Sequence, residues 1–333
     1  MKDFLLEIGV EPLPARFIPA ALAQLQTNGA ALLKQSRLQA KSVRSVGTYR
    51  RLALLIEGLV EKSEPLAQET LGPKLSAAKD AQGNWTQAAL GFAKSQGVKP
   101  EDLTVVQSPK GDVVCAKRTL PGEAADKILL RALPGLLGSF DFPKTMVWNE
   151  TKTRFGRPIR GLVALWGTKP LSFSYSGIKS TRAVIGLPAL GSRAVKVAAP
   201  AKYVPGLKNA CILVDPGERR SALEKALDLA VRRHELKADK DGGLLEETVF
   251  LTEHPVAVFG QFDERFLKLP EELLCVVMKQ QLKFFPTRKK NGRLAPHFVG
   301  VRDGISEGQK EVQEGFERVL VARLTDALFF FEK

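Results

Sequence analysis

Catalysis needs side chains that converge, so the histidines, cysteines and paired carboxylates are the first residues to weigh. His234, His254 and His297 match no metal-ligand spacing, and each reads as an ordinary surface or core histidine. Cys115, Cys211 and Cys275 are odd in number and far apart, which argues against a disulfide framework or a cysteine-rich metal site and for a reducing, cytoplasmic setting. Glu246-Glu247 and Glu271-Glu272 are adjacent in sequence, so on a helix they point in different directions and read as helix-start charges, not as an acid/base pair. Neither G-x-G-x-x-G nor G-x-x-x-x-G-K-[ST] occurs, so the common phosphate-cradling loops are missing. The residue types that could do chemistry here are those that bind, and they are basic.

The chain carries 50 Lys and Arg against 36 Asp and Glu, a formal net charge of +14. Half of the basic residues fall in three stretches without a single acid, at 12–56, 151–214 and 273–302. A segregated positive charge steers polyanions, and phosphate contacts from Lys and Arg supply most nucleic-acid affinity. The RNA-contact candidates are Arg44, Arg50 and Arg51 in the first stretch and Arg154, Arg157 and Arg160 in the second. The third supplies Lys279, Lys283, Arg288, Lys289, Lys290 and Arg293. Arg154, Arg157 and Arg160 are spaced by three residues, and Arg forks onto phosphate better than Lys does. Arg288-Lys289-Lys290-Asn291-Gly292-Arg293 reads as a hairpin turn that reaches a phosphate backbone without burying charge. Phe284 and Phe285 beside it are expected in the core.

These residues need elements to hold them. With 333 residues and 44% hydrophobic content the chain can bury a large core, and no apolar run approaches a membrane span. The pattern predicts a strand at Asp3–Val10, a helix with Pro19 in its first turn, and two strands over Ser42–Gly58 joined near Tyr49-Arg50-Arg51. Gly72-Pro73 and Asp80–Asn84 read as loop, and Thr86–Gln96 as a helix ended by Gly97. Val105–Ser108 and Val113–Arg118 form a hairpin candidate across Lys110-Gly111-Asp112, and a helix over Ala124–Leu137 breaks or ends near Pro134-Gly135. Residues 144–197 are mostly β. Asp215-Pro216-Gly217-Glu218 opens a helix with Asp at the N-cap and Pro at the first helical position. Further helices are predicted over Leu244–Thr252 and Pro270–Leu282, with a short strand at Val256–Phe259. Ser306 and Gln309 read as a capping box before a last helix whose stripe is Val312, Phe316, Val319, Leu320, Leu324, Ala327 and Leu328. That helix reaches Lys333 without a stop signal, so the chain is expected to be part of a longer protein. The expected architecture is α+β, multi-domain, with mixed or antiparallel sheets. Its units are 1–62 (strand–helix–strand–strand), 63–142 (helix and hairpin) and 143–333 (a larger α+β domain).

Several segments resemble the β subunit of bacterial glycyl-tRNA synthetase. They include Phe4-Leu5-Leu6-Glu7-Ile8-Gly9 with Glu11-Pro12-Leu13-Pro14, then Gly83–Gly97, Phe142-Pro143-Lys144-Thr145-Met146-Val147-Trp148 and Arg157–Leu165. Phe262–Leu267, Leu269-Pro270-Glu271-Glu272, Met278-Lys279 and Glu317–Ala327 continue the likeness in the family's order. Where the family shows Met-Lys-x-His-Gln-x-Tyr-Phe, this chain has Met278-Lys279-Gln280-Gln281-Leu282-Lys283-Phe284-Phe285, and the family's Asn near the end of the following strand is Asp303. The resemblance implies a complex of two α and two β subunits, in which α holds the glycine, ATP and Mg site. The β subunit would bind tRNA(Gly) and assemble with α, without a cofactor or catalytic residue in this portion. HD-like and anticodon-binding domains would follow Lys333. Two other readings stay open: a tRNA-directed hydrolase or editing domain, and a pure assembly scaffold.

Overall fold

The computed structural model describes residues 1–80, 82–108, 111–187 and 194–333. Lys110 of the expected hairpin turn and Arg193 of the second acid-free stretch lie outside the described residues. The fold is α+β, with two compact units: Met1–Leu33, Ala40–Leu59 and Leu129–Lys333 form one, Lys34–Gln39 and Val60–Ile128 the other. The main elements are β1 (Lys2–Val10), α1 (Ile18–Gln35), β2 (Ser42–Thr48), β3 (Arg51–Leu59), β4 (Leu66–Lys74), α2 (Gln87–Gln96), β5 (Leu103–Ser108), β6 (Gly111–Leu120) and α3 (Ala125–Gly138). There follow β7 (Ile159–Trp166), α4 (Tyr203–Asn209), α5 (Pro216–Arg232), α6 (Gly242–Val249), β8 (Pro255–Gln261), α7 (Glu271–Val276), β9 (Phe285–Arg288), β10 (Leu294–Asp303) and α8 (Gln309–Phe331). Several ladders of two or three residues join them.

β1 runs through the middle of a five-stranded antiparallel sheet ordered Lys169–Pro170, β7, β1, β3, β2. Phe4, Leu5, Leu6 and Ile8 are all buried, so both faces of the strand are covered. That double burial explains why its hydrophobic alternation is weak. On one face Leu5, Ala53, Leu55, Val163 and Leu165 pack against Tyr203 and Leu207 of α4 and against Ile212 and Val214. On the other, Leu6 lies opposite Leu54. Gly29 of α1 approaches Leu54 so closely that a Cβ there would meet the leucine's Cδ2 at 2.7 Å. This close approach accounts for a glycine inside a helix, where it ordinarily costs about 1 kcal/mol relative to Ala. Thr48 pairs with Arg51, so Tyr49-Arg50 forms the two-residue turn between β2 and β3. Because β1 pairs with β7 as well as β3, residues 1–62 do not close into a unit of their own.

The same unit contains a four-stranded antiparallel sheet ordered Lys237–Ala238, β9, β10, β8. Phe262, Phe266, Leu274, Val277, Met278, Phe284 and Phe298 form its core with Leu320 and Leu324 of α8. Asp215 caps α5 through hydrogen bonds from the Gly217 and Glu218 amides at 2.8 and 3.1 Å, as the sequence predicts. The expected Pro270–Leu282 helix divides into α7 and a π turn at Val277–Gln281, a widened geometry found often at functional sites. The expected capping box of the last helix does not form. Gly308 occupies the N-cap with φ +66°, and Gln309 donates instead to the Ala257 carbonyl at 2.9 Å. Val319 falls outside the buried stripe and is exposed.

The second unit holds the antiparallel sheet β4-β6-β5, whose Leu103, Val114 and Ala116 pack on Ala89 and Ala93 of α2. Gly97, at φ +66°, ends α2 as expected. Gly72-Pro73 belongs to β4 rather than to a loop; a register shift between Leu71 and Lys74 accommodates the proline, which has no N–H for the ladder. From Leu129 onward α3 belongs to the first unit, where it continues through Pro134 with Leu129, Leu133 and Leu137 buried.

Candidate nucleic-acid interface

Position in the fold sorts the twelve basic candidates into three groups. Arg51 is a correction. It opens β3 on the Glu7 side of the sheet, is 1% exposed, and presents nothing to a solvent-borne phosphate. The second group is exposed or half-buried but held by acids. Arg44 lies 3.6 Å from Asp215, Arg50 3.9 Å from Glu253 and Arg160 3.1 Å from Glu11. Lys279 bridges Asp239 and Asp241 at 3.0 and 3.3 Å, and Lys283 meets Glu247 at 2.8 Å. Arg288 contacts Glu271 at 2.7 Å and Asp239 at 3.5 Å, while Lys290 reaches Glu235 at 2.9 Å. The hydrogen bond to Glu271 raises the Arg288 pKa above its ordinary value. Burial works against the Lys279 charge, yet its bonds to Asp239 and Asp241 outweigh that and raise its pKa.

Most of these acids come from residues 215–271, the part of the chain that lies between the second and third acid-free stretches. Most of the candidate cations segregated in sequence are therefore paired in space. The third group comprises Arg154, Arg157, Lys289 and Arg293, which have no acidic partner among the described residues. Arg154 and Arg157 lie on and just past a short ladder of Met146–Val147 with Arg154–Phe155. Arg157 directs Nη1 at the Met146 Sδ, 3.6 Å away, and at the Gly156 carbonyl. Lys289 and Arg293 stand at the tip of the β9–β10 hairpin. The turn is closed by the Lys289 amide donating to the Arg293 carbonyl at 2.9 Å, with Gly292 at φ +84°. Phe284 and Phe285 are buried, as expected, and Phe284 stacks on Phe298 with centroids 4.6 Å apart.

Sequence reasoning missed a buried ionic cluster. Glu7 of β1, Thr48 at the end of β2, Arg51 of β3, Tyr203 of α4 and Glu253 before β8 are all nearly inaccessible. Glu253 Oε1 accepts from Arg51 Nε at 2.9 Å and from the Thr48 hydroxyl at 2.7 Å. The Tyr203 hydroxyl donates to Glu7 Oε2, which lies 3.7 Å from Arg51 Nη1. Burial pushes the Glu7 carboxyl pKa up, against the opposing pull of the Arg51 charge and the Tyr203 hydroxyl. Burial works against Arg51's charge too, but Glu253 and Glu7 outweigh it and hold the guanidinium charged. Arg219 of α5, also buried, donates to the carbonyls of Val249, Leu213 and Gly47. Burial draws its pKa down to about 10, so it stays charged at neutral pH. The visible signal was a lone Glu inside the apolar run of β1.

Two departures from the resemblance also find physical roles. Asp303 Oδ1 accepts from the amides of Glu253 and His254 at 2.8 and 2.7 Å, and Oδ2 accepts from the Tyr49 hydroxyl at 2.8 Å. It thus ties the β2–β3 turn to the segment that carries Glu253. In the Met278–Phe285 segment, Gln281 is exposed, while Leu282 packs on the second core. That segment serves packing. Among the described residues no group of three or more His, Cys, Asp and Glu is arranged to hold a metal ion, and no helix is long and apolar enough to cross a membrane.

Comparison with known proteins matches the sequence of this chain to a family. The family profile described as glycyl-tRNA synthetase beta subunit covers residues 4–333. The chain belongs to the glycyl-tRNA synthetase β-subunit family. The glycine–tRNA ligase beta subunit of Shouchella clausii is 40% identical over 332 residues, covering 100% of this chain and 48% of that protein. The proteins of the same name from Bacillus subtilis and Desulforamulus reducens are 37% and 38% identical, each over 100% of this chain and 49% and 48% of their own length. The chain spans about half the length of the curated β subunits it matches.

Proposed function

We propose that the part of the β subunit spanned by this chain binds tRNA(Gly) and docks the α subunit in an α2β2 glycine–tRNA ligase in the cytoplasm. The α subunit then attaches glycine to tRNA with ATP and Mg, and this portion of β supplies no catalytic group. Holding the tRNA acceptor end near the α site turns a bimolecular encounter into an oriented one, which accelerates the reaction without a reacting side chain. Two pairs of basic side chains left free of acids carry this reading: Arg154 with Arg157, and Lys289 with Arg293. A cation already neutralised within the fold gains little from a phosphate, whereas an unpaired one releases counterions and contributes fully. Family membership supports RNA as the polyanion.

The test is the affinity of the chain for tRNA(Gly), measured by fluorescence anisotropy from about 50 to 200 mM salt. The expected result is a linear fall of log Kobs with log salt, with a slope of roughly −2 to −4 for two to four phosphate contacts. Absence of binding at the lowest salt would overturn the proposal.

A further inference from the structure

Away from the Arg154–Arg157 ladder, the basic hairpin tip borders a feature that phosphate contacts alone leave unused. His234 follows the end of α5 and lies flat on Phe259 of β8, with centroids 4.0 Å apart and planes 6° from parallel. Phe259 lies beside His297 of the neighbouring strand β10, with centroids 5.2 Å apart and planes 26° from parallel, and the His234 ring is 6.2 Å from that of His297. One face of the His234 ring is thus covered by Phe259, yet the residue remains exposed, which leaves the other face to solvent. Two adjoining clefts, of about 540 and 760 Å³, share His234 as a wall. Lys289, Lys290 and Asn291 of the hairpin tip line the first, and Arg232 and Arg233 line the second. Glu235 and Glu264 are the acids of the first cleft, and Lys290 already occupies Glu235. Nδ1 of His297 is buried and has no hydrogen-bond partner among the described residues, so a polar atom is unspent beside the stack. Burial lowers the His297 pKa and favours the neutral imidazole, with one donor and one acceptor.

An exposed ring backed by a second aromatic ring and flanked by cations is the chemistry that holds an unpaired nucleotide. The base lies on the ring while the lysines and arginines take the phosphates on either side. A duplex cannot use it, because its bases are already stacked inside the helix. We propose that the exposed His234 ring, backed by Phe259 with His297 beside it, is a binding site for an unpaired RNA nucleotide, with His234 as the stacking platform and Lys289, Arg232 and Arg233 as the phosphate contacts. This rests on the tRNA-binding reading and adds to it which feature of the RNA is seized.

The experiment compares the wild-type chain with His234→Ala and His234→Phe, each titrated with a fluorescent four-nucleotide single-stranded RNA, a blunt RNA duplex, AMP and tRNA(Gly). His234 is a surface residue beyond the end of its helix, so both variants should fold, which circular dichroism checks. Loss of one stacked base costs a single-stranded ligand roughly 5- to 150-fold in affinity. His234→Ala should show that loss, His234→Phe should keep most of the affinity, and the duplex should bind alike to all three. Wild-type affinity of His234→Ala for the tetranucleotide would overturn the site, as would a parallel loss for the duplex. AMP binding as tight as the tetranucleotide would also overturn it, in favour of a free-nucleotide pocket. If His234→Ala fails in any of these ways while wild-type tRNA binding persists, the site alone is refuted. If the wild-type chain binds the tetranucleotide but not tRNA(Gly), the broader reading falls and the site stands.

Discussion

Replacing Arg51 by Met removes the one cation that faces both Glu7 and Glu253. The methionine fills most of the arginine's volume, so the cost is electrostatic more than steric. Glu253 Oε1 loses its 2.9 Å partner and keeps only the Thr48 hydroxyl and the distant Arg50, 3.9 Å from Oε2. Glu7 keeps the Tyr203 hydroxyl, and its already raised pKa means that it can take up a proton and shed its charge. Breaking a buried pair from one side costs about 3–5 kcal/mol. At about 2–4 °C per kcal/mol for a unit of roughly this size, the melting temperature should fall by about 6–20 °C. Calorimetry on the purified chain measures this directly. Adding Glu7→Gln and Glu253→Gln to Arg51→Met should recover a large part of the loss, because no unpaired carboxylate then remains. A shift of less than about 2 °C in the single variant would refute the reasoning. So would an unchanged melting temperature together with weaker tRNA binding, since Arg51 would then be reaching RNA.

Glu7→Gln alone should flatten part of the pH dependence of stability. A carboxyl whose folded pKa is raised favours folding below its unfolded pKa, near 4.5, and that contribution disappears as pH rises through the folded value. Urea midpoints at several pH values should therefore favour the variant increasingly from acid to neutral pH; a constant difference would contradict this. Asp215→Ala removes the N-cap of α5 and the partner of Arg44, and should cost about 1 kcal/mol by urea denaturation. A neutral result would mean that the cap is redundant. The chain alone, without α, should show no ATP–pyrophosphate exchange; measurable exchange would place an activation site within it.

Much of the fold could be read from local signals. The Asp215-Pro216 start of α5, the Gly97 stop of α2 and the two-residue turn at Tyr49-Arg50 each depend on neighbouring residues only, and each forms where the pattern places it. What local patterns could not supply was pairing at long range. The partner of β1 on its second edge is β7, which runs from Ile159 to Trp166, and nothing near either strand announces it. The same holds for the candidate interface. Lys279 and Lys283 look as available in sequence as Lys289 does, but Asp239, Asp241 and Glu247 fold against the first two and not the third. Arg51 stands beside Arg50 in a basic run, yet strand alternation turns it into the core while Arg50 sits in the turn. The His234, Phe259 and His297 cluster joins three residues that no motif connects: the pairing of β8 with β10 sets Phe259 beside His297, and the packing of α5 on that sheet lays His234 on Phe259.

If the cations without acidic partners bind tRNA while their paired neighbours hold the fold, the two groups must differ in the salt dependence they confer. The most direct measurement compares the salt dependence of tRNA(Gly) binding for two variants of the chain. One carries Arg154→Ala, Arg157→Ala, Lys289→Ala and Arg293→Ala; the other carries Lys279→Ala and Lys283→Ala. The first should bind more weakly, with its log–log slope shallower by just under one unit for each phosphate contact removed, and the second should keep the wild-type slope. An unchanged slope in the first variant, or the larger change in the second, would contradict the account.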